Sequence, residues 1–347
     1  YAKLLHASKY DWFDVTEEAE EELIEAALRE AVLESGNQAL AQTAKNQYFL
    51  YRMSKILKIT VRTLGEQVRA GHFKPEDFEL SFAFTDELSA VNFALTDEEK
   101  MHLRGRIDRV DTYEADGKLY VKVIDYKSGH TSFDLLALYH GLQLQLVVYL
   151  NAAVEVLKKK HPDEEVLPAG IFYYHIDDPV IEGSGQESDV EIYDQVLEKL
   201  KLDGLVNEND CIYEQMDTNI TSKSKVIPVG FTKDGALTKN SKTATGEEFA
   251  IISDYVNELV QGLGRQIVEG EVAARPYQLK DKEGCTYCPY RSICGYDERI
   301  LGYQHRVLDS TADSEEILRR MKETVESSKD RRTENGNVMD ARTTEGN

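Results

Sequence analysis

The sequence is poor in basic residues and in long apolar stretches, and each shortage excludes a class of protein. Lysine and arginine total 41 against 63 aspartates and glutamates, which gives a net charge of −22. This charge excludes a generic basic coat for nucleic acid, although it allows an enzyme with a local basic channel and bound metal ions. No apolar run approaches the ~20 residues that span a bilayer, and no secretory signal peptide is evident. We therefore expect a cytoplasmic protein without a membrane partner.

The chain nevertheless has the composition of a folded protein. Hydrophobic residues make up 41% of the 347 residues, which is enough to bury a core and excludes global disorder. This length fits one elaborated domain or two small ones, at roughly 150 residues per domain. The first residue is Tyr1 rather than Met, and a helical pattern follows at once. We interpret the chain as a fragment of a longer protein.

Hydrophobic periodicity predicts most of the secondary structure. Thr16 and Ser132 are the expected N-caps of two helices, because hydroxyl side chains accept hydrogen bonds from the first turn. The tail from about residue 325 is polar, and we expect it to be disordered or held only by contacts. The predicted helices are 16–36, 42–70, 133–158 and 246–269, and the predicted strands outside the central hairpin are 78–84, 91–95 and 170–175.

The most informative segment is 103–127, where two strand-like runs flank Asp116-Gly117. This dipeptide is a strong signal for a two-residue hairpin turn. In the resulting register, the numbers of paired residues sum to 233. The register then produces favourable cross-strand pairs, namely Tyr113 with Tyr120, Asp111 with Lys122, and Val110 with Val123.

The same register places Asp108 opposite Asp125, and these carboxylates should repel each other unless a cation lies between them. Lys127 lies two residues after Asp125 and therefore on the same face of the strand. Two carboxylates and a lysine suit metal-assisted hydrolysis of a phosphodiester, because the acids hold Mg²⁺ and the lysine stabilises developing charge. The alternative is a charged hairpin with two solvated carboxylates, since D-x-K is a weak motif.

A polar pair follows on the next helix. Gln145 and Tyr149 are four residues apart and share one helical face, whereas Gln143 points elsewhere. The surrounding run is otherwise apolar. The pair either reaches the active site and a DNA strand or belongs to a core helix with satisfied polar groups.

Three of the four cysteines lie within ten positions, as Cys285, Cys288 and Cys294 with C-x2-C-x5-C spacing. In a reduced compartment, such clustering indicates ligation of a metal or a cluster rather than disulfides. Cys211 stands alone in a polar stretch, and we interpret it as an ordinary free thiol.

These motifs together carry a resemblance. GRID at 105–108, IDYK at 124–127 and the Q-x-x-x-Y pair resemble the RecB-type nuclease domain of the PD-(D/E)XK superfamily. With the cysteine motif added, the chain resembles the C-terminal nuclease region of AddB-type helicase–nuclease subunits from about residue 10 to 325. The resemblance implies a restriction-endonuclease-like α/β fold: a mixed sheet flanked by helices, with a helical N-terminal elaboration and a C-terminal cysteine loop.

The resemblance also implies roles for these residues. Asp108, Asp125 and the carbonyl of Tyr126 would ligate Mg²⁺, and Lys127 would be the catalytic lysine. Gln145 and Tyr149 would support the active site and contact DNA. The three clustered cysteines would ligate a [4Fe–4S] cluster. The implied partners are single-stranded DNA ends and an AddA-like helicase–nuclease subunit. The implied reaction is exonuclease cleavage, of the 5′-ended strand, in double-strand break repair and recombination.

Two features of the family have no counterpart in convincing context. The family places a histidine ligand on its first helix and the first cluster cysteine just upstream of that helix. His6 and Cys211 are weak substitutes, so we expect both missing ligands to precede Tyr1. A site with three thiolates should hold its cluster poorly, because [4Fe–4S] clusters generally need four.

The expected organisation has four segments: a helical part (1–75), the nuclease core (76–270), the cysteine loop with the C-terminal segment (271–325), and a polar tail (326–347). No Walker A pattern occurs, so this chain cannot power unwinding. Three alternatives stay open: a stand-alone RecB-like exonuclease, a DNA-binding scaffold whose nuclease site is silent, and a zinc-bound interaction module.

Overall fold

The computed structural model describes residues 1–34, 43–82, 88–96, 98–183 and 185–344. Its α-helices are α1 (Ala2–Ala7), α2 (Glu17–Glu34), α3 (Ala44–Arg69), α4 (Leu135–Tyr139), α5 (Gln145–Lys160), α6 (Asp189–Lys199), α7 (Ile212–Met216), α8 (Gly246–Val268), α9 (Arg291–Cys294) and α10 (Ser314–Thr344). Its strands are β1 (Lys74–Phe82), β2 (Asn92–Ala94), β3 (Lys100–His102), β4 (Gly105–Ala115), β5 (Lys118–Lys127), β6 (Glu165–His175), β7 (Asp203–Asn207), β8 (Thr243–Ala244), β9 (Tyr277–Leu279), β10 (Lys282–Glu283) and β11 (Arg306–Val307).

A six-stranded mixed sheet in the order β1-β4-β5-β6-β7-β8 forms the centre of the first of two compact units. The β1–β4, β4–β5 and β6–β7 pairs are antiparallel, whereas β5–β6 and β7–β8 are parallel. The parallel β5–β6 pair requires a crossover, and α5 lies within it. The predicted α/β class with a mixed sheet and flanking helices is confirmed.

The central hairpin has the predicted register. Asp116 and Gly117 have φ of 52° and 74°, and two positive φ values define the turn that matches the twist of the strands. The pairing of the two strands runs from Ala115–Lys118 to Arg109–Ile124, and every pair sums to 233. All three predicted cross-strand pairs, including Asp111 with Lys122, are therefore confirmed.

One hydrophobic cluster stabilises the first unit. It joins α1, α3 and α7 to one face of the sheet through buried side chains such as Leu5, Leu64, Ile124, Phe172 and Met216. Helix α3 also lies against α2, where Arg62 forms ion pairs with glutamates of that helix. This cluster therefore fixes the sheet from one face, and the ends of the strands are left for functional residues.

The second unit contains α4, α8, α10, the β2–β3 pair and the small β9–β10–β11 sheet. The Tyr255 hydroxyl of α8 donates to the carbonyl of Tyr139 at 2.7 Å, and their rings stack at 5.5 Å. His140, which follows α4, bonds the carbonyl of Asp309 at 2.8 Å. Among the described residues, no helix is both long and apolar enough to cross a bilayer.

Several predicted elements are close to the structure. Residues 16–36 correspond to α2, where the Thr16 hydroxyl accepts from the Ala19 N–H at 3.3 Å as a cap should. Residues 42–70 correspond to α3, and residues 246–269 to α8. The last two residues of the predicted helix at 16–36 and of the predicted strand at 78–84 lie outside the described residues.

The single helix predicted at 133–158 is wrong. The segment forms α4 and α5, separated by a break at residues 140–144, and Gly141 has a φ of 79° there. Asp134, not Ser132, caps α4, since its carboxylate accepts from the Leu136 N–H at 2.9 Å. Gln143 contributes by accepting from the Asp134 N–H at 3.0 Å.

Of the two alternatives for the tail, disorder is wrong, because α10 runs through Thr344. Its first half buries Ile317, Met321 and Val325, which are spaced four residues apart and so lie on one helical face. Lys322 and Lys329 pair with acidic residues of α8. Only Val325 of this apolar stripe lies in the predicted tail, so the polar composition of the tail does not indicate a helix.

Candidate active site

The candidate active site is formed by Asp108, Asp125 and Lys127 on one face of the β4–β5 hairpin. Side chains alternate between the faces of a strand, so Asp125 and Lys127 lie on the same face. This face otherwise carries buried valines such as Val123. The three charged groups are therefore placed where the apolar part of the face ends.

Asp125 and Lys127 form a close ion pair of 2.6 Å between Oδ2 and Nζ. The Asp125 side chain is 4% exposed, whereas that of Lys127 is 26% exposed. Burial raises the pKa of Asp125 above its ordinary value, the charge of Asp108 adds to this rise, and Lys127 opposes it. A cation beside the two carboxylates would favour their ionised forms.

Asp108 is held by the backbone of the opposite strand. The regular pairing ends at Arg109–Ile124, one position before Asp108, and the Tyr126 N–H donates to Asp108 Oδ2 at 2.8 Å. A carboxylate thus replaces the backbone acceptor at the end of the ladder. This bond fixes the Asp108 side chain and ties it to the residue whose carbonyl we predict to be a metal ligand.

Gln145 and Tyr149 lie one turn apart on α5, as predicted, and both are half-buried. The Tyr149 ring contacts Phe82 of β1 edge-on, with 5.9 Å between ring centroids. Phe82 pairs with Gly105, where an added Cβ would lie 2.6 Å from the Phe82 ring. The glycine of GRID therefore leaves room for a ring that supports Tyr149.

Tyr173 was not predicted as a site residue. It is the parallel partner of Asp125, and the Lys127 ammonium lies 5.3 Å from the centroid of its ring. Burial raises the pKa of Tyr173 to about 12, and the charge of Asp125 contributes. The strand was expected, but its parallel pairing with β5 could not be derived from the hairpin alone.

The opposite face of the same hairpin carries a second set of charges: Arg109, Asp111 and Lys122, here called the buried charge cluster. Their side chains are at most 2% exposed. Arg109 bonds both carboxylate oxygens of Asp111, at 2.6 and 2.7 Å, and Lys122 lies 3.2 Å from Oδ2. Burial would raise the pKa of Asp111, but the two cations outweigh it and lower that pKa.

Aromatic rings complete the surroundings of this cluster. The Arg109 guanidinium lies 5.6 Å from the ring of Trp12 and 5.9 Å from that of Phe78, and Lys122 lies 4.9 Å from the ring of Phe73. Ring faces attract cations, and more strongly where water is excluded. The sequence indicated only the Asp111–Lys122 pair, because the contribution of Arg109 depends on a bidentate contact within its own strand.

The donor set of the candidate active site suits a hard divalent cation. Two carboxylates on adjacent strands and a backbone carbonyl are oxygen ligands of the kind that Mg²⁺ takes. His6 lies elsewhere in the first unit, on α1, where it is exposed and lines a cavity with Asp11 and Trp12. The expectation that His6 is only a weak substitute for the family's histidine ligand stays a prediction.

The three clustered cysteines line one cavity of the second unit, together with Tyr296 and His305. Across the part of the chain that the structure describes, no three His, Cys, Asp or Glu side chains are arranged at metal-binding distance. Cys211 lies in the first unit, where its sulfur accepts a hydrogen bond from the Tyr213 hydroxyl at 3.5 Å. The cysteine loop thus contains three thiols, but these are not arranged as a preformed set of ligands.

Comparison with known families identifies the superfamily of the chain. The family described as the PD-(D/E)XK nuclease superfamily matches residues 3–295, which is most of the chain. The chain belongs to the PD-(D/E)XK nuclease superfamily. The predicted membership is thereby confirmed, and the acidic pair and lysine on the hairpin lie within the matched segment.

Curated relatives are named as subunits of an ATP-dependent helicase/deoxyribonuclease. The chain is 41% identical to the protein from Lachnoclostridium phytofermentans, over 91% of this chain and 27% of that protein. It is 35% identical to the protein from Alkaliphilus metalliredigens and 32% identical to that from Clostridioides difficile, in each case over 93% of this chain and 28% of the relative. The chain therefore spans about a quarter of the length of these relatives, and the predicted similarity to AddB-type proteins is confirmed at that extent.

Proposed function

We propose that the chain is the nuclease part of a helicase–nuclease subunit and hydrolyses DNA phosphodiesters at Asp108, Asp125 and Lys127. The proposal is supported by membership in the nuclease superfamily and by relatives whose name includes a deoxyribonuclease. The observation that carries it is the close grouping of Asp125, Lys127 and the backbone-held Asp108 at the end of the hairpin.

Each residue of the site has a distinct task in this proposal. Asp108, Asp125 and the Tyr126 carbonyl would hold Mg²⁺, which polarises the phosphate and lowers the pKa of bound water. Lys127 is more exposed than its carboxylate partner, so its ammonium can turn toward a phosphate oxygen and stabilise the charge that develops during attack. Gln145 and Tyr149 would orient the substrate strand from α5.

The remaining assignments follow the resemblance. We propose that Cys285, Cys288 and Cys294 supply three ligands of a [4Fe–4S] cluster, with a fourth cysteine from outside this chain. We propose exonuclease action on single-stranded ends, of the 5′-ended strand, in recombinational repair. The proposed partner is an AddA-like helicase–nuclease subunit, since the relatives are named as one subunit of a helicase/deoxyribonuclease.

The test is cleavage of end-labelled single-stranded DNA by the full chain with Mg²⁺, beside the Asp125→Asn variant. The matched control is Asp77→Asn, because Asp77 lies in β1 of the same sheet and also pairs with a lysine, Lys160, at 2.9 Å. The proposal expects cleavage by the wild type and by the control, and none by Asp125→Asn. Cleavage that survives in Asp125→Asn would refute the site assignment. If the chain alone does not cleave DNA, the same variants are compared within the helicase–nuclease complex, where a silent scaffold would show no difference among them.

A further inference from the structure

Helix α3 carries a solvent-exposed face of tyrosines and basic residues, here called the aromatic–basic face: Tyr48, Tyr51, Arg52 and Lys55. Tyr51 and Arg52 each lie three or four positions from both Tyr48 and Lys55, so the four residues lie together on one side of the helix. Tyr48 is 62% exposed and Tyr51 is 55% exposed. Large aromatic side chains on a monomer surface mark an interaction site when they are grouped in this way.

The rings on this face are held by local contacts. Tyr48 and Tyr51 lie against each other with 6.5 Å between centroids, and the Lys55 ammonium lies 4.9 Å from the centroid of Tyr51. Arg52 forms an ion pair with Asp178 at 3.1 Å. The face therefore presents two neighbouring aromatic surfaces with two cations beside them.

The charge of α3 contrasts with that of the whole chain. Between Ala44 and Arg69 there are six basic residues and one acidic residue, Glu66, whereas the chain carries a net charge of −22. Three of the basic residues, Lys58, Arg62 and Arg69, are bound by glutamates of α2 or of α3 itself. The segment from Ala44 to Leu57 contains no acidic residue, and of its three basic residues, Lys45, Arg52 and Lys55, Arg52 is paired with Asp178. The exposed half of the helix therefore carries a local excess of positive charge.

This face lies at the end of the sheet that carries the candidate active site. His175, the last residue of β6, pairs with Lys127, and the Ile176 N–H donates to the Lys127 carbonyl at 2.9 Å. Asp178, the partner of Arg52, follows only three residues after His175, a chain distance of at most ~10 Å. The segment 175–178 therefore links Lys127 to α3, by backbone pairing at one end and by the Arg52–Asp178 ion pair at the other.

Part of the surface at these strand ends is concave and polar. A cavity of about 380 Å³ lies at these strand ends and is lined by His130, His175, Asp177 and Lys199, among others. Helix α3 packs on the face of the sheet opposite to Asp125. A single strand bound both at the candidate active site and on α3 would therefore have to bend around the edge of the sheet.

We propose that the aromatic–basic face binds a single strand of DNA whose end is held at the candidate active site. Bases stack on exposed aromatic rings without regard to sequence, and adjacent basic side chains neutralise the phosphates. This inference rests on the proposed nuclease function for the identity of the ligand. It adds a surface that the superfamily membership does not assign.

The first test measures binding without cleavage. The full chain carrying Asp125→Asn is titrated, in the absence of divalent metal, into a fluorescent oligothymidine of about 20 nucleotides, longer than the sites that single-strand-binding folds usually cover. Adding Tyr48→Ala and Tyr51→Ala together should weaken binding about 10-fold or more. The Tyr48→Phe and Tyr51→Phe pair should keep the wild-type affinity, because phenyl rings stack as well. Both positions are exposed, so these variants should fold normally.

The second test measures the salt dependence of the same binding. For single strands, log K falls with log salt concentration by about 0.7 for each phosphate contact. Arg52→Gln with Lys55→Gln should therefore reduce the slope by about 1.4. Arg29→Gln is the control, because Arg29 lies on α2, is exposed and forms an i,i+4 pair with Glu25.

The two tests separate this inference from the nuclease proposal. Weaker binding in the tyrosine variants supports the face even if the chain does not cleave DNA. Unchanged affinity and an unchanged slope overturn it even if Asp125→Asn abolishes cleavage. Variants that bind DNA normally but lose a protein partner would show that the face is a protein interface, and would also overturn the inference.

Discussion

The two faces of the β4–β5 hairpin both carry carboxylates and basic side chains, but these side chains differ in their exposure to solvent. On one face, Asp125 and Lys127 form an ion pair that is partly open to solvent and is followed by exposed loop residues. On the other, Arg109, Asp111 and Lys122 are buried and bonded to one another. Both faces belong to the same two strands. The difference in exposure therefore arises because helices and aromatic rings cover one face more completely than the other.

This difference distinguishes the charges suited to stabilising the fold from those suited to the proposed reaction. A buried carboxylate with two cationic partners is already satisfied, and its lowered pKa keeps it ionised. At Asp125 the pKa is raised instead, because burial and a second carboxylate outweigh the one lysine beside it. Perturbed pKa values of this second kind are typical of functional sites.

The largest expected effect is on the buried charge cluster. Asp111→Ala leaves two buried cations without their anion and should lower the free energy of unfolding by about 3–5 kcal/mol. Urea denaturation of the full chain measures this change. A variant that keeps wild-type stability but loses DNA cleavage would show that Asp111 serves the reaction rather than the stability of the fold.

Lys127→Ala tests the other face. The variant should cleave DNA at least about 100-fold more slowly, because it removes a charge that stabilises the transition state. Its free energy of unfolding should fall by less than that of Asp111→Ala, because the cation that is removed is 26% exposed and Asp125, whose pKa burial already raises, can become neutral. Single-turnover cleavage and urea denaturation are measured on the same sample, and a large loss of stability would contradict the division between the faces.

Gly105→Ala should moderately lower both the free energy of unfolding and the rate of DNA cleavage. The added Cβ would meet the Phe82 ring at 2.6 Å, so the ring must move, at a cost of about 1–3 kcal/mol in stability. Because Phe82 supports Tyr149, cleavage should also fall. The matched control is Gly129→Ala, where an added Cβ meets nothing within 4 Å. Equal effects of the two substitutions would exclude the proposed support.

Acidic pH should reveal the contribution of Asp111 in the buried charge cluster to the free energy of unfolding. The pKa of Asp111 is lowered in the folded state, so its contribution is complete above the unfolded value near 4 and is lost as the pH falls toward the folded pKa. The free energy of unfolding of the wild type should therefore fall more steeply below about pH 4 than that of Asp111→Asn, by up to about 1.4 kcal/mol per pH unit. Parallel slopes in urea titrations at several pH values would contradict this pairing.

The smallest effect is expected at Tyr173. Its pKa of about 12 keeps the hydroxyl neutral at ordinary pH, so Tyr173→Phe should leave the alkaline limb of the cleavage profile unchanged. The rate should change by less than about 10-fold, because the ring beneath the Lys127 ammonium is retained. An alkaline limb that shifts in this variant would show that the tyrosine titrates during the reaction.

Local sequence information predicted the hairpin well. The turn residues Asp116 and Gly117 fix the register, and the register places Asp125 and Lys127 on one face. Membership in the nuclease superfamily also followed from the order of the motifs. These features depend on residues close together in the chain.

Features that depend on distant segments were missed or misjudged. The pairing of Tyr173 with Asp125 requires the β5–β6 crossover, and the break before α5 depends on Gly141 in a run that is otherwise apolar and helix-like. The helical tail depends on acidic partners in α8 for Lys322 and Lys329. Single-sequence periodicity contains no information on such partners.

The most direct test of the account is calorimetric titration of the full chain with Mn²⁺. The wild type should bind the metal, and Asp77→Asn should bind it equally well. Asp108→Asn and Asp125→Asn should each weaken binding by at least about 10-fold, since even residues outside the ligand shell contribute that much in metal sites. Equal binding by Asp125→Asn and the wild type, or no binding by any of the four proteins, would contradict a metal-dependent site at the end of the hairpin.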